Sequence, residues 1–226
     1  MIKIEKLSKC YDCVKLFNEF NLDIDENKIN CFFGSSGVGK TTLARMISGL
    51  DNDYSGNIYT KKEMKISYVF QETRLLNWLS IYDNLDLVLQ TVYNKQERQT
   101  IINEFIEIVN LSEFANHKIS TLSGGMAQRV SLARAFAYPS DILIMDEPFK
   151  GLDMVLSEQL ISTFKLLWTK NKRTVIFITH NLDEAIEISD NIFVLSGTPV
   201  NVVGHFKKED FKFITKSKIK ELISND

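Results

Sequence analysis

The stretch "GSSGVGKTT", residues 34–42, fits the pattern G-x-x-x-x-G-K-[ST], whose chemistry is the holding of phosphate. Gly34 and Gly39 free the backbone so that amides can wrap the anion, and Ser35, Ser36, Gly37 and Val38 supply the N–H groups between them. Lys40 neutralises charge on the outer phosphates, Thr41 completes the motif and offers a hydroxyl to Mg²⁺, and Thr42 follows it as a further binding candidate. Its ligand is ATP or GTP. A second stretch, "DILIMDEP", ends an apolar run on Asp146 and Glu147. An aspartate there can hold the Mg²⁺ shell, and the glutamate beside it can polarise a water for in-line attack on a γ-phosphate, which is hydrolytic chemistry. A third stretch, "TLSGGMAQRVSLARAFA", opens on Ser123, Gly124 and Gly125 and continues at helical spacing. Its free N-terminal amides and dipole make a second anion site in a chain that already has one.

These residues need elements to position them. The runs "INCFF", "DILIM" and "TVIFIT" are continuously apolar, as buried parallel strands are, whereas "IKIEKL" and "CVKLFNEFNLDI" alternate like half-exposed antiparallel strands. Helices are predicted for "KTTLARMISGL" after the glycine loop, for the stretch after Ser123, and for "LSEQLISTFKLLWTK". Residues 77–111 are helical throughout, as "IYDNLDLVLQTVY" and "KQERQTIINEFIEIVNL". The expected architecture is a single α/β domain over residues 1–226, with a mixed sheet, an antiparallel β part and a helical subdomain inserted at about 77–137.

Composition narrows the partners. With 226 residues, 44% of them hydrophobic, the chain can bury a sizeable core. A net charge of −2 gives no overall pull toward nucleic acid, and no nucleic-acid partner is expected. Residues 206–226 carry six lysines among Phe206, Phe211 and Phe213, which reads as a solvated amphipathic tail or a membrane or partner contact. Cys10, Cys13 and Cys31 are an odd set without a second C-x-x-C pair, so they are expected to be reduced thiols in a cytoplasmic protein. No apolar run approaches the ~18 residues of a membrane span.

At this point the sequence resembles the nucleotide-binding subunits of ATP-binding cassette (ABC) transporters across almost its whole length. The resemblance is carried by "GSSGVGKTT" as Walker A, "LSGGMAQR" as the signature and "ILIMDEP" as Walker B, in the order that family shows them. It extends to Tyr11 as the adenine-stacking aromatic, Gln71 in "YVFQETR" as the Q-loop residue, "GLD" ending on Asp153 as the D-loop, and His180 in "FITHNLDEA" as the switch histidine. The resemblance implies a P-loop NTPase core of RecA-like type that binds ATP with Mg²⁺. Thr41, Gln71 and Asp146 would lie around the metal, and Glu147, His180 and Gln71 around the reacting phosphate. It implies a head-to-tail pair of identical subunits in which Ser123, Gly124 and Gly125 of one copy bind the γ-phosphate held by the other. The second anion site then serves the partner's nucleotide.

The segment "ETRLLNWLSIYDNL" narrows the subtype, because it is similar to one in importer ATPases of the nitrate, sulfonate and taurine family, as is "SGTPV" at residues 196–200. Asn77 stands where those relatives usually have proline, and Lys150 where a small residue usually precedes the D-loop. The resemblance implies a peripheral subunit on the cytoplasmic face of the membrane. It would work with transmembrane permease subunits and, indirectly, a solute-binding protein. Trp78 is either a core aromatic or part of the groove that receives a permease helix. The interval between Gln71 and Ser123 is too short for the coiled-coil insertion of chromosome-maintenance ATPases, and one cassette is too few for the related translation factors. A free-standing regulatory ATPase acting on a soluble partner is the alternative.

Overall fold

The computed structural model describes residues 2–61 and 63–224. The chain divides into two compact units, Met1–Ile66 with Arg173–Asp226, and Ser67–Lys172.

In the first unit, β1 (Ile2–Tyr11) and β2 (Val14–Ile24) form the antiparallel pair that the alternating pattern predicts. Tyr11 faces Val14 across a turn in which Asp12 and Cys13 both take positive φ, 44° and 70°, the handedness that matches strand twist in a tight hairpin. β4 (Ser55–Tyr59) pairs antiparallel with the other edge of β1. Alternate side chains such as Ile2, Ile4, Phe17, Leu22 and Ile24 are buried.

The same unit holds β3 (Ile29–Phe33) between β7 (Thr174–Thr179) and β8 (Asn191–Ser196), all parallel and buried at every residue. Continuous apolar runs produce this arrangement because both faces of such strands must be covered. Two helices, α1 (Lys40–Ile47) and α6 (Leu182–Ile188), pack on these strands. α1 stops at Ile47, short of the predicted "SGL", because Gly49 turns left-handed at φ 72°.

β9 (Asn201–Lys207) runs antiparallel to β8, with Phe206 opposite Ile192. After it, a 3-10 turn over Lys208–Phe213 leads into α7 (Lys216–Ser224), which packs on β8 and β9. Phe211, Ile214 and Ile219 are buried, so these apolar residues of the segment predicted as a tail are used by its own sheet. Its last residues, 225–226, lie outside the described part.

In the second unit, β5 (Ile66–Val69) lies beside β6 (Ile142–Asp146). The same unit holds four helices that pack on one another: α2 (Ile81–Leu89), α3 (Lys95–Ile108), α4 (Gly124–Ala137) and α5 (Met154–Lys170). α2 and α3 both begin with capping boxes. Ser80 pairs with Asp83 and Asn94 with Glu97, each side chain satisfying amides that a helix start leaves open. The first of these helices therefore ends at Leu89 rather than at Tyr93, since Asn94 already starts the next. Buried Asn84 accepts from the Leu76 N–H at 2.9 Å and donates to the Leu76 and Ser80 carbonyls, tying "RLLNWLS" to α2.

Candidate nucleotide site

Six of the predicted residues that bear on phosphate occupy the glycine loop between β3 and α1. A β-carbon at Gly34 would collide with the Leu195 carbonyl oxygen, a backbone atom that cannot yield, so only glycine lets the loop leave β3 beside β8. Gly39, at φ 113°, takes a conformation other residues avoid and is the N-cap of α1, with no side-chain cap over the helix amides. Ser35, Ser36 and Gly37 are exposed and Val38 is half-buried, while Lys40 is 4% exposed. The Lys40 Nζ donates to the carbonyls of Gly34 at 2.9 Å and Ser35 at 2.8 Å. The ammonium is thereby stationed within the loop that precedes it. Thr41 and Thr42 follow on α1, both half-buried.

Tyr11, in the same unit, is 48% exposed at the end of β1, as a stacking platform requires. Its hydroxyl donates to Asp51 Oδ2 at 3.2 Å, and Lys9 Nζ lies 4.9 Å from its ring centroid. Lys9 is itself buried and ion-paired with Asp51 and Asp53 at 3.0 and 3.1 Å. Burial works against the Lys9 ammonium, yet the hydrogen bonds to Asp51 and Asp53 outweigh it and raise the pKa above the usual lysine value. Sequence reasoning missed Lys9 and Asp51; the only sequence signal is that Lys9 stands two residues before Tyr11, on the same strand face. His180 is exposed just after β7, where the Thr179 hydroxyl accepts from the Asn181 N–H and the Asn181 side chain caps α6.

The second unit holds the remaining residues. Asp146 ends β6, is 8% exposed, and accepts from the Tyr68 hydroxyl at 3.2 Å. Glu147 follows at φ 46°, in the left-handed region that costs energy for a non-glycine residue and collects at functional sites. Its carboxylate, with a side chain 11% exposed, is ion-paired to Lys150 Nζ at 2.6 Å. Gln71 is exposed immediately after β5. The segment that follows it is held by Arg134, in the last turn of α4, which donates to the carbonyls of Thr73 and Arg74, both at 3.1 Å.

Ser123 is the N-cap of α4, its hydroxyl accepting from the Met126 N–H at 3.3 Å, and Gly124 beside it is exposed. Gly125 is buried. A β-carbon there would come within 2.5 Å of Leu156 Cδ1, so this glycine lets α4 and the Leu156 side chain of α5 pack closely without displacement of that side chain. Asp153 caps α5, accepting from the Leu156 N–H at 2.9 Å. Buried Gln128 donates to the Pro148 carbonyl and so anchors the turn after Glu147 to α4.

A glycine loop cradling a buried lysine, a buried aspartate and a strained glutamate after a strand, and a serine-capped helix opening on two glycines are the local geometries of an ATP-binding cassette. Residues 17–150 match the family model described as "ABC transporter". The chain belongs to the ABC transporter family. It is 36% identical over 210 residues to the aliphatic sulfonates import ATP-binding protein SsuB of Bacillus cereus, covering 88% of this chain and 82% of that one. It is 35% identical over 214 residues to the bicarbonate transport ATP-binding protein CmpD of Synechococcus elongatus, covering 89% and 77%. Among solved structures, a dimeric ATP-binding cassette in a post-hydrolysis state bound to ADP and Pi is similar with a TM-score of 0.79 and 29% identity, over 92% of this chain and 99% of that one. The cassette is an ATP-binding α/β protein of P-loop type and an ATPase.

Trp78 is 67% exposed, which excludes the core reading for this aromatic. Among the described residues no helix is long and apolar enough to cross a membrane.

Proposed function

We propose that this chain powers the uptake of a small anionic or organic solute, of the nitrate, sulfonate or taurine kind, through separate permease subunits. It would be a single ABC ATPase domain with its helical subdomain at about 77–137, docked on the cytoplasmic face of the membrane. The observation that carries this reading is identity above a third, over most of the chain, to a subunit named for sulfonate import, with a bicarbonate transport subunit close behind. Exposed Trp78, in the segment that suggested the subtype, supports a docking surface for a permease helix. A solute-binding protein would deliver the cargo to the permease.

In this reading two copies close head to tail on ATP. Tyr11 stacks on adenine, and residues 34–42 wrap the phosphates with Lys40 on the outer ones. Ser123, Gly124 and Gly125 of the partner copy, with Asp153 nearby in the D-loop, meet the γ-phosphate. Glu147 polarises the attacking water, while His180 and Gln71 contact the γ-phosphate region. Thr41, Asp146 and Gln71 are the candidate Mg²⁺ residues, and their donors fit that ion: hydroxyl, carboxylate and amide oxygens, with no soft ligand among them. When bound, Mg²⁺ would neutralise charge on the outer phosphates. Loss of the γ-phosphate on hydrolysis removes the bridge between copies, so ATP and ADP differ in the state they favour.

Glu147→Gln tests the reading, since it keeps size and hydrogen bonding but removes the charge that draws a proton from water. Turnover should fall by about 100-fold or more while ATP binding survives. Gel filtration should then show a stable dimer with MgATP and a monomer without it. A variant that hydrolyses at the parental rate removes Glu147 from this role.

A further inference from the structure

The turn after β6 contains a cation beside the carboxylate assigned to the attacking water. Lys150 Nζ lies 2.6 Å from Glu147 Oε2, and the Lys150 N–H donates to the Glu147 carbonyl at 3.2 Å, so both the side chain and the backbone of Lys150 fold back onto Glu147. The turn itself is anchored on either side. Gln128 holds the Pro148 carbonyl, Leu152 N–H reaches the Phe149 carbonyl at 3.3 Å, and Asp153 caps α5. With the backbone so held, most of the freedom left to the Glu147 carboxylate is in its side-chain torsions, and the ion pair restricts those. The carboxylate is nearly buried, with 11% of its side chain exposed, while the lysine beside it is 40% exposed.

We propose that Lys150 is a positioning residue that restrains hydrolysis, its ammonium holding Glu147 Oε2 in competition with the attacking water. The inference rests on the reading of Glu147 given above. An ammonium 2.6 Å from a carboxylate oxygen stands where a water would approach that oxygen and offsets the negative charge that attracts the water's proton. A pair with one partner this exposed is weak, so the restraint is easily broken and its effect is a matter of a few-fold in rate.

The test is MgATP turnover by the full chain with Lys150→Met, Lys150→Ala and Lys150→Arg. Lys150→Met keeps the length of the side chain without its charge. It and Lys150→Ala should raise kcat by about 2- to 5-fold with KM for ATP unchanged, whereas Lys150→Arg should keep the parental kcat because the cation remains. A merely structural lysine would give the opposite sign, since loosening the turn slows the reaction. Lys150→Met combined with Glu147→Gln should leave the residual rate of Glu147→Gln unaltered. If Glu147→Gln is inactive but Lys150→Met and Lys150→Ala turn over at or below the parental rate, the restraint is wrong and the role of Glu147 stands. If Glu147→Gln turns over normally, the role of Glu147 fails and the restraint fails with it.

Discussion

At the scale of single residues, the setting of Tyr11 depends on charges that the motif does not contain. Its hydroxyl is held by Asp51, and Asp51 is held by Lys9. The Lys9 hydrogen bond outweighs burial and keeps the Asp51 carboxyl below the usual carboxylate range. A depressed folded-state pKa means that the Asp51 contribution to stability is present above the unfolded value of about 4 and is lost as pH falls through the folded one. Asp51→Asn should therefore lower the urea midpoint at pH 7 and narrow the further drop between pH 7 and pH 3. It should also weaken binding of a fluorescent ATP analogue by up to about 10-fold, because a tyrosine without its anchor stacks less well. Equal urea midpoints for variant and parent at pH 7 would show that the Lys9–Asp51 pair contributes nothing.

At the scale of elements, α4 joins two tasks that its glycines divide between them. Gly124 has open space around its missing side chain, whereas Gly125 faces Leu156 of α5. Alanine is the better helix former, by about 1 kcal/mol in a helix interior and less in the first turn where Gly124 sits, so Gly124→Ala should leave the melting temperature unchanged or raised. At Gly125 the overlap with Leu156 outweighs that gain. Overpacking costs about 1–3 kcal/mol, partly relieved because Leu156 methyls can turn, and the net loss should lower the melting temperature by about 2–4 °C. Adding Leu156→Ala to Gly125→Ala should recover part of it, and a double variant no better than the single would place the strain elsewhere. The far end of the same helix holds the segment after Gln71 through Arg134, so α4 connects Ser123 with that segment within one unit.

At the scale of the whole molecule, a signature that serves the partner's nucleotide must separate binding from turnover. Ser123→Arg fills the space next to Gly124 while leaving Lys40 and Thr41 untouched. ATP affinity measured at low protein concentration should stay within about 2-fold of the parent, and turnover should fall by about 100-fold or more. Lys40→Ala is the contrast, because it removes a cation from the phosphates of its own chain and should lose affinity as well. If Ser123→Arg loses affinity as Lys40→Ala does, the signature acts on its own chain's nucleotide and the head-to-tail arrangement proposed here fails.

The glycine loop, the acidic pair after β6 and the serine-capped start of α4 were legible in the sequence because each is a short contiguous run whose backbone geometry is set locally. Gly34, Gly39 and the Ser123 cap all belong to such runs, and so did the strand types, since burial on one face or two leaves its mark on hydropathy. Element ends were less legible, as at Leu89, where the competing signal was the Asn94 capping box. Contacts between distant segments could not be read at all. Asp51 reaches Lys9 and Tyr11 across 40 or more residues, and β9 and α7 absorb a segment whose composition alone reads as a tail. Trp78 shows the same limit, because one apolar residue has the same letter whether the fold covers it or leaves it 67% exposed. Even the close pair Glu147 and Lys150 needed the structure, for spacing of three residues permits many side-chain directions and only the anchored turn selects the one in which they meet. Sequence thus determined which local geometries this protein can form, and tertiary structure decided which charges face one another, because burial and pairing depend on neighbours that chain order does not supply.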